Sequence, residues 1–135
     1  MYTNILVPVA LDHEHDTAEA VEIAKKLRGE GGKITLLTVV EVIPGYVAGY
    51  LPEGQMEKNR AEIEASLKAE ADGVKGVETK VIVGHPGGSI VDYAKDNGVD
   101  LIVIASHKPG LQDFFLGSTA ARVVRYSQCG VHVMR

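Results

Sequence analysis

Residues 100–119 read DLIVIASHKPGLQDFFLGST, and the succession of residue types in that stretch sets the architecture. Leu101, Ile102, Val103, Ile104 and Ala105 form an unbroken apolar run, the signature of a strand covered on both faces. The run stops at Ser106, His107 and Lys108. Gly117, Ser118 and Thr119 then open AARVVRYS, which has helical spacing. A strand-to-helix connection usually takes about two to six residues. The one here fills residues 106–116, and long loops in compact domains tend to carry function. It ends at a helix N-terminus whose N–H groups, hydroxyls and small side chains suit a phosphate.

The same strand–helix logic extends in both directions. NILVPV (4–9) predicts a buried first strand, followed by a helix over 16–28 with Asp16 as its cap and Gly29 as its stop. KITLLTVV (33–40) predicts the second strand. A Gly-, Pro- and Tyr-rich loop follows over 41–55, then a helix over 56–71. VETKVIV (77–83) alternates apolar and polar residues, which places this strand at a sheet edge. A helix over 88–97, the strand at 100–105, a helix over 118–127 and a last strand at 131–134 complete the order. Strict alternation of strand and helix without a hairpin signal predicts one α/β domain over residues 1–135, a doubly wound parallel sheet with helices on both faces. Ligands of such sheets bind beyond the carboxyl ends of the strands, where the winding reverses. With the first and fourth strands as central neighbours, the crevice is bounded by Pro8, Val9 and Ala10 on one side. Ala105, Ser106, His107 and Lys108 bound the other.

Composition narrows the function. A formal charge of −4 points away from nucleic acid, which requires a basic surface. No apolar stretch is long enough to cross a membrane, and the N-terminal residues lack the basic start of a secretory leader. Cys129 is the single cysteine, in keeping with a reducing cytoplasm. The histidines show no H-E-x-x-H or paired-cysteine metal spacing, and no Walker phosphate loop is present.

The candidate site residues each have a structural alternative. Gly117, Ser118 and Thr119 can cradle phosphate or simply cap a helix, and the two roles are compatible. Ser106 and Lys108 face the predicted crevice, with Lys108 able to neutralise phosphate charge and His107 able to donate to it; otherwise they are solvated loop residues. Pro8, Val9 and Val39 supply flat apolar walls for a base, or only core packing. GHPGGS (84–89) reads chiefly as a tight turn into a helix. Tyr46, Gly49 and Tyr50 form a surface loop, or a lid or oligomer contact. Arg122 and Arg125 share a helix face and are solvated or interfacial, with Arg122 also within reach of the site from the first turn.

ILVPV (5–9), LLTVV (36–40), GHP (84–86) and above all residues 100–135 resemble the universal stress protein family. The resemblance implies strand order 3-2-1-4-5 and dimerisation through the last strand, as a homodimer or tetramer. In the nucleotide-binding branch it implies ATP (or ADP or AMP) between the first and fourth strands, with Gly84 approaching the ribose. The family's G-x2-G-x9-G-[ST] pattern is present here only at Gly117-Ser118. Ala105-Ser106-His107-Lys108-Pro109 followed by Leu116-Gly117-Ser118 instead resembles a variant ASH[RK]P…LGS subgroup. Ala10 stands where many members carry an acidic residue, with Asp12 nearby. Three readings follow: a stress-response sensor or regulator that binds an adenine nucleotide, a slow ATP hydrolase aided by Mg2+ with Asp12 or Asp113 in support, and an interaction module without nucleotide. A receiver domain is set aside, because no acidic residue ends the third strand.

Overall fold

The computed structural model describes residues 1–10, 14–41, 44–106 and 116–135. The elements are β1 (Tyr2–Pro8), α1 (Glu14–Leu27), β2 (Arg28–Val40), α2 (Gly45–Ala48), α3 (Gln55–Ala71), β3 (Val77–Val83), α4 (Pro86–Asp96), β4 (Leu101–Ala105), α5 (Ser118–Tyr126) and β5 (Gly130–Met134). The five strands form one parallel sheet in the order β3-β2-β1-β4-β5. The expected architecture and strand order are therefore the observed ones.

Strand alternation divides the apolar residues between two cores. Ile5, Val7, Val9, Ile34, Leu36, Leu101 and Val103 pack beneath Ala20, Val21 and Ala24 of α1 and Leu67 of α3. Leu6, Leu37, Ile102 and Ile104 face the other way, onto Ile90 and Ala94 of α4 and Ala120 and Val123 of α5. Two-sided burial is why the central strands read as continuous apolar runs. β3, at the edge, keeps its predicted alternation, with Val81 buried and Glu78 and Lys80 exposed.

Several boundaries differ from the sequence expectation. α1 begins at Glu14, two residues ahead of Asp16, and ends at Leu27. Gly29 does not stop this helix but lies in β2, which starts at Arg28 because Arg28 pairs with Tyr2. Between Tyr2↔Arg28 and Asn4↔Lys33 the register shifts, and Gly31 takes up the extra chain at φ 76°. A side chain at Gly32 would meet the Tyr2 carbonyl at 2.9 Å, so this corner accepts only glycine. The 41–55 connection contains a short helix, α2, in which four residues are too few to show a period.

At the amino end of the sheet, Asp100 fastens β1 to β4. Its carboxylate accepts from the Thr3 N–H (2.9 Å), the Asn4 N–H (3.0 Å) and the Thr3 hydroxyl (3.1 Å). Its own N–H donates to the Asn4 carbonyl at 2.9 Å. Burial raises the carboxyl's pKa, but these donors outweigh it and hold the group below its ordinary value.

Candidate functional site

The site arises where two neighbouring strands part. The β1–β4 ladder holds register only at Ile5↔Leu101 and Leu6↔Ile102. On either side the ladders run further, β1–β2 to Pro8↔Leu37 and β4–β5 to Ala105↔Met134. Beyond Leu6 and Ile102, β1 thus follows β2 while β4 follows β5. A cleft opens between them at the carboxyl ends. It is also the point of reversal: the chain winds through α1 and α3 on one face, then through α4 and α5 on the other.

On the β1 side, Pro8 is half-buried, Val9 buried and Ala10 exposed. Both main-chain polar groups of Val9 are engaged with β2. Its N–H donates to the Leu37 carbonyl at 2.8 Å, and its carbonyl accepts the Thr38 hydroxyl at 3.1 Å. Parallel strands direct alternate residues' N–H and C=O groups to opposite neighbours. Leu37 therefore faces β1, as does Val39, while Val40 faces β3 and accepts the Gly84 N–H at 2.9 Å. β1 pairing stops at Pro8↔Leu37, so Val39 stands one rung beyond the last paired position, on the side of β2 that faces β1. The Val39 side chain packs on the α4–α5 core.

On the β4 side, Ala105 is half-buried and Ser106 is 1% exposed. The Ser106 N–H donates to the Met134 carbonyl at 2.8 Å, and its carbonyl accepts the Gly117 N–H at 2.5 Å. That second bond brings the two ends of the long connection together and sets the start of α5 directly above β4. Gly117 is the N-cap residue, at φ −59° and ψ 155°. The first bond of α5 runs from the Ala121 N–H to the Gly117 carbonyl (2.8 Å). The N–H groups of Ser118, Thr119 and Ala120 consequently have no acceptor within the helix and face the strand ends with its positive dipole. Ser118 is exposed and Thr119 half-buried, so both hydroxyls are within reach of a ligand. His107 and Lys108, like Asp12 and Asp113, lie outside the described residues.

Gly84 follows β3 at the sheet edge, with β2 and β1 between it and β4. Its lack of a side chain has a local cause, because the Ser89 hydroxyl fills the space a Cβ would need. Tyr46 and Tyr50 are 77% and 89% exposed and cover nothing among the described residues. Arg122 does not turn toward Gly117. Its stem lies across Gly87 of α4, and its guanidinium sits 5.4 Å from the Tyr126 ring centre, one turn further along α5. Sequence reasoning missed two positioning groups, Thr38 and Asp100. For Thr38 the available signal was a hydroxyl inside the apolar run LLTVV. Among the described residues no three His, Cys, Asp or Glu side chains come together in a way that could hold a metal.

Comparison with known proteins bears on this geometry. Residues 1–135 match the Universal stress protein family. Universal stress protein YxiE of Bacillus subtilis is 31% identical, over the whole of both chains. Among solved structures, protein MJ0577 superposes with a TM-score of 0.81 at 25% identity, covering 99% of this chain and 96% of that one. A universal stress protein in complex with cAMP gives 0.71 at 21% identity (99% and 97% covered). The Archaeoglobus fulgidus universal stress protein in complex with dAMP gives 0.61 at 22% (99% and 98% covered). At these last identities the likeness is one of fold.

Proposed function

We propose that this chain, which belongs to the universal stress protein family, binds an adenine nucleotide in the cleft between β1 and β4. The observation that carries the reading is the parting of those strands after Leu6 and Ile102, with the open first turn of α5 above the gap. The phosphates lie on the N–H groups of Ser118, Thr119 and Ala120, where the helix dipole favours negative charge. The base lies at the end of β2, between Pro8, Val9 and Val39. There the Val39 N–H and C=O form an adjacent donor and acceptor, complementary to N1 and the 6-amino group of adenine. Ala105 and Ser106 wall the opposite side, and Ala10 opens the entrance. We assign His107 and Lys108 to the phosphates from their place in the sequence directly after β4, while Gly84, beyond β2 at the sheet edge, can approach the nucleotide only from the base side. The fold neighbours bound to cAMP and dAMP support the reading, because the two ligands share adenine while differing in sugar and phosphate.

ATP is the nucleotide we assign, with ADP and AMP as shorter occupants. Mg2+ would accompany a triphosphate, held by the phosphates rather than by a protein cage. Binding rather than turnover is the assigned activity, in a one-domain cytoplasmic protein that senses or regulates the stress response. β5 is an edge strand whose outer side carries unpaired main-chain groups, and pairing there with a second copy gives a homodimer or tetramer.

Calorimetry on nucleotide-free protein tests the reading. ATP should bind at one site per chain, and Gly117→Ile should abolish binding while leaving thermal unfolding close to wild type. The Gly117 backbone angles suit any residue, so the new side chain imposes no backbone strain. Absence of heat with ATP, ADP and AMP at millimolar concentration would overturn it.

A further inference from the structure

We infer that the Thr38 hydroxyl is the positioning group that keeps the Val39 main chain open for the base. In a parallel ladder the rungs between two strands recur at every second residue. Leu37 completes the last one, its carbonyl accepting the Val9 N–H at 2.8 Å. The next rung would join the Val39 N–H to the Val9 carbonyl, yet register ends at Pro8↔Leu37. The Val9 carbonyl is taken by Thr38 instead, at 3.1 Å. Thr38 is 4% exposed and Val9 8%, so water does not compete for this bond.

Direction explains the effect. Thr38 shares a sheet face with Ile34 and Leu36, the face that carries α1 and α3. Its hydroxyl therefore reaches the Val9 carbonyl from that face rather than within the plane of the ladder. A buried carbonyl needs a donor, and one donor satisfies it. Supplied by the side chain, it leaves the Val39 N–H outside the ladder and directed at the cleft. Without the hydroxyl, the next donor along the ladder is the Val39 N–H itself. Zipping that rung would consume the group that reads adenine N1. Thr38 touches no ligand; it acts through Val9 and Val39. This inference rests on the adenine reading above.

The test uses Thr38→Val, which keeps the volume and loses the hydroxyl, and Thr38→Ser, which restores it. Hydrogen exchange resolved at single amides on nucleotide-free protein reads the ladder directly. In the wild type the Val39 amide should exchange at least about tenfold faster than the Leu37 amide, since one hydrogen-bonded rung separates them. Thr38→Val should slow Val39 to the Leu37 rate, and Thr38→Ser should return it to the wild-type rate. Affinities for ATP and inosine triphosphate read the consequence. Inosine presents an N1–H donor to the Val39 donor, a mismatch that a hydrogen-bonding site rejects. The wild type should prefer ATP, Thr38→Val should lower that preference about tenfold, and Thr38→Ser should recover it. Equal protection of Val39 and Leu37 in the wild type would overturn the inference, and that comparison stands even if Thr38→Val fails to fold. So would unchanged Val39 exchange, or an unchanged ATP preference, in Thr38→Val. A wild type that binds both nucleotides alike, or neither, would refute the adenine reading, while the exchange data still decide the role of Thr38.

Discussion

Replacing Asp100 with alanine should lower the melting temperature by about 10 °C at neutral pH. β1 and β4 share only two register positions, Ile5↔Leu101 and Leu6↔Ile102, so the Asp100 carboxylate is a principal fastening between them. It accepts three hydrogen bonds, two from main-chain N–H groups. A shielded bond to a charged group contributes about 1.5–3 kcal/mol. Solvent reduces exposed ones toward about 0.5–1 kcal/mol. The two Thr3 bonds are exposed and the Asn4 bond is part-buried, which gives a total of about 3 kcal/mol. At this chain length each kcal/mol moves the midpoint by about 3–4 °C. The folded carboxyl lies below its ordinary pKa because its donors outweigh desolvation. Its contribution is therefore complete above the unfolded value of about 3.9 and is lost as pH falls through the lower, folded value. Thermal unfolding followed by circular dichroism from pH 7 down to strong acid should show the gap between wild type and Asp100→Ala closing in acid. A gap below about 2 °C at pH 7 would refute the hydrogen-bond account. A gap of undiminished size in strong acid would refute its electrostatic part.

Other substitutions probe separate parts of the molecule. Burial raises the Cys129 thiol, its backbone hydrogen bond partly opposes this, and the Asp100 carboxylate raises it further. Iodoacetamide should thus modify the folded protein at pH 7 more slowly than the unfolded one, and Asp100→Asn should speed the reaction. A side chain at Gly87 would meet Arg122 Cδ at 2.7 Å and Cβ at 3.0 Å. Gly87→Val should cost about 1–3 kcal/mol in urea unfolding, and Arg122→Ala should relieve much of that cost in the double variant.

The apolar run 101–105 carried the fold in the sequence, because a strand covered on both faces needs no polar alternation. The alternation of 77–83 likewise placed β3 at an edge. Boundaries were less legible. Asp16 looks like a cap and Gly29 like a stop, yet pairing of Arg28 with Tyr2 ends α1 at Leu27 and draws Gly29 into β2. That outcome depends on residues far away in sequence, as does the Asp100 fastening across nearly the whole chain. Within the candidate site, Gly117 to Thr119 were legible because helix starts have a local signature. Thr38 was not, since a hydroxyl in a strand acquires its role only when another strand presents a carbonyl to it. Arg122 is exposed, as its solvated reading expects, and the alternative of reaching the site is not taken, because its stem lies across Gly87 and its head on Tyr126.

The central claim is that the parting of β1 and β4 forms an adenine-nucleotide site. An amide-resolved NMR titration of nucleotide-free protein with ATP tests it most directly. The largest shifts should fall on Val39, Ser106, Ser118, Thr119 and Ala120, with the α3 amides and the β5 edge unmoved. No shifts at saturating ATP, or shifts confined to residues away from the carboxyl ends of β1, β2 and β4, would contradict it.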